Sequence, residues 1–252
     1  MKRILILATG FVAALGAPDA IAAHTTPAYV TAAINDTARP DEDKKLDEER
    51  LPSDMLAFAG IKPGMKVMDL IPGRGYFTRL FAKAVGDKGY VYSYQPTEFD
   101  AFNKGKPAPI KAVATEYKNV SAIDAPINSL AAPELLDVVW TSQNYHDLHD
   151  SFAKPADLAI INKAVFTALK PGGLYIILDH AAAAGSGLRD TETLHRIDEA
   201  TVKQEVLAAG FRLVGESNIL RNPKDPHDKI VFDPSIRHQT DKFILKFMKP
   251  RH

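Results

Sequence analysis

Cysteine is absent from the 252 residues, which excludes thiol nucleophiles, disulfide staples and cysteine-ligated zinc and suits an oxidising compartment. An excess of either charge is absent too, since 31 basic and 31 acidic side chains give a formal net charge of zero. Such a balance offers no electrostatic footprint for nucleic acid or an anionic membrane surface, so both are dropped as partners. No apolar run near the N-terminus is long enough to cross a bilayer: residues 4–15 fall short of the ~20 required. The HExxH zinc pattern, internal repeats and low-complexity segments are missing as well.

What the N-terminus does carry is a targeting pattern. Lys2 and Arg3 precede the apolar run, and Ala20-Ile21-Ala22 places small residues at the cleavage positions, as in a secretory signal peptide spanning residues 1–22. The protein is therefore expected to be periplasmic or secreted, with no stable membrane span once the leader is cleaved. Residues 23–50 are polar and hold the charge run DEDKKLDEER at 41–50, whose mixed signs predict a helix with a solvated face lying over the domain. Residues 51–252 read as one domain, and 46% hydrophobic residues are ample for its core.

Within that domain, strands alternate with helices. Strand segments end at Asp69 and fall at 89–95, 120–123, 136–141, 174–178, 211–215 and 241–249; helices fall at 53–59, after Gly75, before Tyr117, from Pro155 to Leu169 and at 199–209. LDVVWT, residues 136–141, is almost wholly apolar, as in a strand covered on both faces. In the last segment Phe243, Leu245 and Phe247 alternate with Lys242, Ile244 and Lys246, which predicts a strand with one less buried face at an antiparallel edge. The expected fold class is α/β: a doubly wound, mostly parallel seven-stranded sheet of Rossmann type with an antiparallel last strand.

The segment VMDLIPGRGYFT, residues 67–78, concentrates the chemistry. A strand ends in Asp69, a turn follows with Gly73 and Gly75, and a helix begins at once. Glycines let backbone approach a ligand, and a helix start offers unpaired N–H groups; an α/β sheet builds a nucleotide-shaped pocket in this way. The dinucleotide fingerprint G-x-G-x-x-G is incomplete, because the third glycine is missing and Gln95, not an acid, closes the second strand.

Together with LDVVW at 136–140 and LKPGGLYIILDH at 169–180, this segment resembles the class I S-adenosylmethionine-dependent methyltransferases over roughly residues 53–249. More narrowly, the chain is similar to a group of exported methyltransferases whose glycine turn ends in Gly-Tyr-Phe-Thr. The resemblance implies S-adenosylmethionine as cofactor. It places Asp69 at the acid closing the first strand, Gly73 and Gly75 at the last two glycines of the turn, and Gln95 where a ribose-binding acid is usual. Ile71 stands at the position of the first glycine, where a β-branched residue cannot take positive φ cheaply; Pro72 is expected to compensate by fixing the backbone. Gln95 accepts through one neutral oxygen, a loss of about 1 kcal/mol of binding relative to a carboxylate, with Glu98 the nearby candidate to replace the charge.

Methyl transfer needs an acceptor nucleophile lined up behind the sulfonium methyl, and a base where the acceptor loses a proton. SQNYHDLHD, residues 142–150, follows the fourth strand and so lands at the ligand-binding edge of the sheet. Asn144 is expected to hold the methionine portion or the acceptor, Tyr145 to wall the pocket, His146 to accept a proton and Asp147 to orient its imidazole; the competing expectation is a capping loop with solvated histidines. His180 reaches the same edge, and residues 222–243 form either a lid or a structural excursion. His146, His149, Asp150, Asp179 and His180 also permit a zinc reading, which their spacing disfavours. The leading expectation is an exported S-adenosylmethionine-dependent methyltransferase with a small-molecule or otherwise unknown acceptor. Its rivals are a non-catalytic ligand-binding protein of the same fold, favoured by Gln95 and by the cytosolic origin expected of the cofactor, and then a metal-dependent hydrolase.

Overall fold

The computed structural model describes residues 26–154 and 156–251. The expected signal peptide and Pro155 lie outside the described residues. Seven strands, β1 Lys66–Leu70, β2 Tyr90–Pro96, β3 Val120–Ala125, β4 Leu136–Ser142, β5 Leu169–His180, β6 Arg212–Ser217 and β7 Lys242–Met248, form one sheet in the order β3-β2-β1-β4-β5-β7-β6. The pairs from β3 to β5 are parallel, and β7 runs antiparallel to both of its neighbours. After β1 the chain winds outward to β3 and then returns to place β4 on the other side of β1. The switch point, where such sheets bind ligands, therefore lies at the carboxyl ends of β1 and β4.

Both faces of the sheet are covered. On one lie α1 Ala28–Ile34, α4 Pro52–Ala59 and α5 Tyr76–Val85, packed on Val67, Val138, Trp140 and Ile176. Trp140 is fully buried there, its ring 4.7 Å from Phe77 and 5.6 Å from Phe81, and such aromatic pairs contribute about 0.5–1.5 kcal/mol each beyond the area they bury. On the other face α7 Leu158–Ala168 and α9 Glu199–Ala208 bring Ile161, Val165, Val202 and Val206 against Val139, Ile177 and Leu245. The remaining helices are α2 Asp41–Lys44, α3 Asp47–Arg50, α6 Ile110–Glu116 and α8 Thr191–Leu194.

Three expectations shift. β7 is antiparallel, but it lies inside the sheet and β6 forms the edge. With strands on both sides and helices above and below, Lys242 and Ile244 are as buried as Phe243 and Leu245, and the expected less buried face is confined to Lys246 and Met248, half-buried beside the buried Phe247. β5 begins at Leu169, because Leu169 pairs with Leu136 before the register shifts to Val138 and Leu174; Pro171-Gly172-Gly173 thus sits within an irregular strand. Helix α7 starts at Leu158, where the Asp157 carboxylate accepts from the N–H groups of Ala159 and Ile160, a capping arrangement that sets the start.

Candidate functional site

β1 delivers Asp69 to the switch point, and the chain then turns into α5 through three residues of positive φ: Ile71 at 59°, Gly73 at 57° and Gly75 at 82°. The turn keeps the conformation a glycine would take at Ile71, and Pro72 does not spare it. A left-handed non-glycine residue costs roughly 1–2 kcal/mol. The cost is offset by contacts that over-determine the position: Ile71 N–H donates to the Tyr94 carbonyl at 2.9 Å, its own carbonyl accepts from Asn144 Nδ2 at 3.0 Å, and its side chain is buried in the core.

The two glycines differ in what surrounds them. A Cβ on Gly75 would lie 2.9 Å from Val113 Cγ2 and 3.1 Å from Ile110 Cδ1, so Gly75 seats α6 against the turn. A Cβ on Gly73 would meet nothing within 4 Å. Gly73 faces a cleft of about 260 Å³ whose sheet-side wall includes Asp69, Ile71, Pro72, Ser142 and Asn144.

Asp69 is 3% exposed, and its Oδ2 accepts from Thr78 Oγ1 at 2.6 Å. Burial pushes its pKa up, to about 7, against the opposing effect of the Thr78 hydrogen bonds. The last residue of the Gly-Tyr-Phe-Thr run thus serves the acid that closes β1. Thr78 also shares a 3.1 Å hydrogen bond with Ser93 of β2, linking the first two strands beneath the turn.

The opposite wall consists of Glu42, Asp43, Leu46 and Arg50, from the charge run expected to present a solvent face. The run breaks into α2 and α3 and turns several charges inward. Arg79 Nη1 donates to Asp43 at 3.1 Å and to the Arg74 carbonyl at 2.9 Å. Asp47 accepts from Tyr76 Oη at 2.7 Å and from Arg39 Nη1 at 2.9 Å, while the Arg50 guanidinium stacks 4.5 Å from the Tyr76 ring centroid. The signal for this wall lay in α5, where Arg79 stands among the apolar residues Phe77, Leu80, Phe81 and Ala82; a buried guanidinium requires carboxylates, and DEDKKLDEER is the acid-rich segment able to supply them.

Beyond β4 the expected cluster divides. Asn144 lines the cleft, as expected of a ligand-binding residue. Tyr145 does not wall it: the side chain is fully buried in the core, its hydroxyl donating to Glu205 at 2.8 Å and accepting from Asn162 Nδ2 at 2.9 Å. His146 lies outside the cleft lining, 2% exposed, with Nδ1 2.8 Å from Asp179 Oδ1 and Nε2 3.2 Å from Asp147 Oδ1. Burial alone would lower its pKa, but Asp179 together with hydrogen bonds to both carboxylates raises it to about 10. A cationic imidazolium is not a proton acceptor at neutral pH. Asp147 is itself held below the usual carboxylate range, because hydrogen bonds from His146 and His195 outweigh its burial.

Of the histidines weighed at this edge, His180 reaches a cavity. Arg50 and Gln143 border both the first cleft and a second cavity of about 170 Å³, which is otherwise walled by His180, by Val231, Phe232, Arg237, His238 and Thr240 of the late loop, and by Glu49, whose carboxylate is engaged by His238 at 2.6 Å. Burial, reinforced by Lys242 and His146, pushes His180 well below the ordinary histidine pKa, so it stands neutral there with Nδ1 2.9 Å from Thr240 Oγ1. The late loop lines this second cavity and not the first cleft, fastened by Arg196 and Asp225, whose side chains meet at 2.8 and 3.0 Å with no solvent exposure.

Gln95 closes β2 outside the lining of the first cleft. Glu98 does not replace its charge at a ligand, because both of its oxygens lie 3.1 Å from the Ile127 N–H. Asp124, overlooked in the sequence, is paired in register with Gln95 at the end of β3 and carries an ion pair to Lys111. Of the residues weighed for zinc, His149 pairs with Glu205 and His180 with Thr240, whereas His146 meets Asp147 and His195, two residues outside that set.

No family profile matches the chain. Among curated proteins, it is 25% identical over 199 residues to the ubiquinone/menaquinone biosynthesis C-methyltransferase UbiE of Shewanella oneidensis, covering 65% of this chain and 73% of that protein. Among solved structures, a SAM-dependent methyltransferase from Aquifex aeolicus superposes with a TM-score of 0.55 at 21% identity, over 83% of this chain and 98% of that one. The [4+2]-cyclase SpnF superposes at 0.58 with 16% identity, over 81% of each chain. The fold of this chain is thus the one these proteins share.

Proposed function

We infer that this chain, which belongs to the class I S-adenosylmethionine-dependent methyltransferase family, transfers the cofactor's methyl group to a small-molecule acceptor. The observation that carries this reading is the open space in front of Gly73, at the switch point, where the glycine turn, Asp69 and Asn144 meet the acidic wall of Glu42 and Asp43. These groups suit a ligand that is cationic at its reacting centre and carries both an amine and a carboxylate. Bound there, the cofactor supplies an electrophilic methyl on a sulfonium. Asp69, Pro72, Gly73 and Asn144 hold it in this reading, with Gly75 seating α6 behind the turn; Arg50, which borders the cleft, is a cation there for the carboxylate. Gln95 contributes no more than a neutral hydrogen bond.

The second cavity is the acceptor site in this proposal. Arg50 and Arg237 favour an acceptor bearing an anionic or oxygen-rich group, and neutral His180 orients it by accepting a hydrogen bond. His146 and Asp147 support the turn behind that cavity instead of moving a proton. Export belongs to the same proposal and rests on Lys2, Arg3 and the apolar residues 4–15.

Titration calorimetry with S-adenosylmethionine tests the reading. Wild type is expected to bind it stoichiometrically, and Gly73→Val, whose side chain enters the cleft, to lose binding by about a hundredfold or more while remaining folded. A folded wild-type protein that gives no heat with the cofactor would overturn the methyltransferase reading in favour of a binding protein for another ligand.

A further inference from the structure

Behind the wall of the second cavity, three side chains converge that methyl transfer leaves unexplained. His146 Nε2 lies 3.2 Å from Asp147 Oδ1 and 3.3 Å from His195 Nδ1, and the last two atoms are 3.6 Å apart. Two nitrogens and an oxygen bound at zinc's usual ~2.0–2.1 Å in tetrahedral geometry would lie about 3.3 Å from one another. The observed triangle already has nearly that size.

The surroundings also match. Asp179, fully buried, accepts from the His146 backbone N–H at 2.8 Å and faces His146 Nδ1 at 2.8 Å. A carboxylate taking the Nδ1 proton fixes the imidazole tautomer and leaves the Nε2 lone pair directed outward, the arrangement that orients a metal-bound histidine. That lone pair then faces Asp147, which only accepts, and His195 Nδ1, which donates to it in one tautomer and in the other presents a second lone pair to the same point. His195 is brought there by a left-handed backbone, φ 54°, a conformation that is unfavourable in a non-glycine residue and marks an over-determined position. Asp147 and His195 retain 14% and 27% side-chain exposure, which gives an ion a route in.

We propose that His146 Nε2, His195 Nδ1 and Asp147 Oδ1 form a binding site for a divalent transition ion of the zinc type, with Asp179 orienting His146 and one coordination position left for water or an oxygen ligand. The ion would join the turn after β4 to the segment between β5 and α9. Phe232, packed 5.1 Å from the His195 ring, sets the late loop against the same point. The site requires no methyl donor, so the proposal stands or falls independently of the transferase reading.

The test is calorimetric titration of chelator-treated, dialysed protein with zinc alone, paired with the visible spectrum of the cobalt(II)-loaded protein. One equivalent of zinc should bind, and cobalt should show the intense absorption of a tetrahedral site. His195→Ala should weaken zinc binding by about a hundredfold or more and abolish the cobalt band, whereas His149→Ala should leave both unchanged. Asp147→Asn, nearly isosteric, should reproduce the loss if His195→Ala proves unstable. Absence of stoichiometric binding in wild type, or wild-type binding in both ligand variants, would overturn the proposal.

Discussion

The Asp69 carboxylate sits at the end of β1 with one hydroxyl partner, Thr78, and little water. Its pKa, about 7, exceeds the ordinary value of 3.8. Between these limits the folded protein holds a proton that the unfolded chain has released, so Asp69 makes stability fall as pH climbs from about 4 to about 7 and adds no further slope above that. A cationic ligand beside Asp69 reverses the preference by favouring the ionised form. Cofactor affinity is therefore expected to rise about tenfold from pH 6 to pH 8, with proton release near pH 7, as titrations in buffers of different ionisation enthalpy would detect. Asp69→Asn should flatten both the affinity profile and the proton release; a wild-type affinity independent of pH would place the cation elsewhere. The acid and the two glycines were legible in the sequence because each performs its task within the turn. The role of Ile71 was not, because its positive φ is sustained by partners on β2 and in the turn after β4.

Among the elements, the sheet could be read almost entirely from apolar runs and their punctuation, since a strand buried on both faces declares itself by composition alone. The failures came where charge pattern was used to infer exposure. Lys242 reads as a surface residue but starts an interior strand, and DEDKKLDEER reads as a solvated helix but supplies one wall of the cleft. Alternating charges cannot reveal burial when their partners lie on another element. The polar contacts from α2 and α3 to α5 have a measurable consequence. Asp43 and Arg79 are both buried, and removing one member of a buried pair typically costs about 3–5 kcal/mol. Because Arg79 keeps Glu116 at 3.2 Å, Asp43→Ala should lower stability by less than that, about 2 kcal/mol in chemical denaturation, and weaken cofactor binding beyond that of a surface control such as Glu48→Ala. Unchanged binding would show that α2 and α3 cover the cleft without shaping it.

At the scale of the molecule, the two cavities are held by different anchors. The cleft at Asp69 depends on the N-terminal wall clamped to α5, whereas the second cavity depends on the late loop fastened to residues 181–198 by Arg196 and Asp225. Arg196 also donates to the carbonyls of Ala181 at 2.9 Å and Lys229 at 3.0 Å, and Asp225 accepts from the Asp241 N–H at 2.6 Å, so one buried pair ties together both ends of the loop and the segment after β5. Asp225→Asn keeps the shape and removes the charge. It should cost about 3 kcal/mol, but the loss should be local, because the loop adds no strand to the sheet before β7. Limited proteolysis should then cut within residues 222–241 well before the rest of the chain, while cofactor affinity at the Asp69 cleft stays within about twofold of wild type. Replacing both partners, as Arg196→Met with Asp225→Leu, should restore only part of the protease resistance, because it removes the uncompensated buried charge but leaves the Ala181 and Lys229 carbonyls and the Asp241 N–H without these partners. If Asp225→Asn instead abolished cofactor binding together with loop protection, the two cavities would be one cooperative unit, and the division between donor and acceptor sites would have to be redrawn.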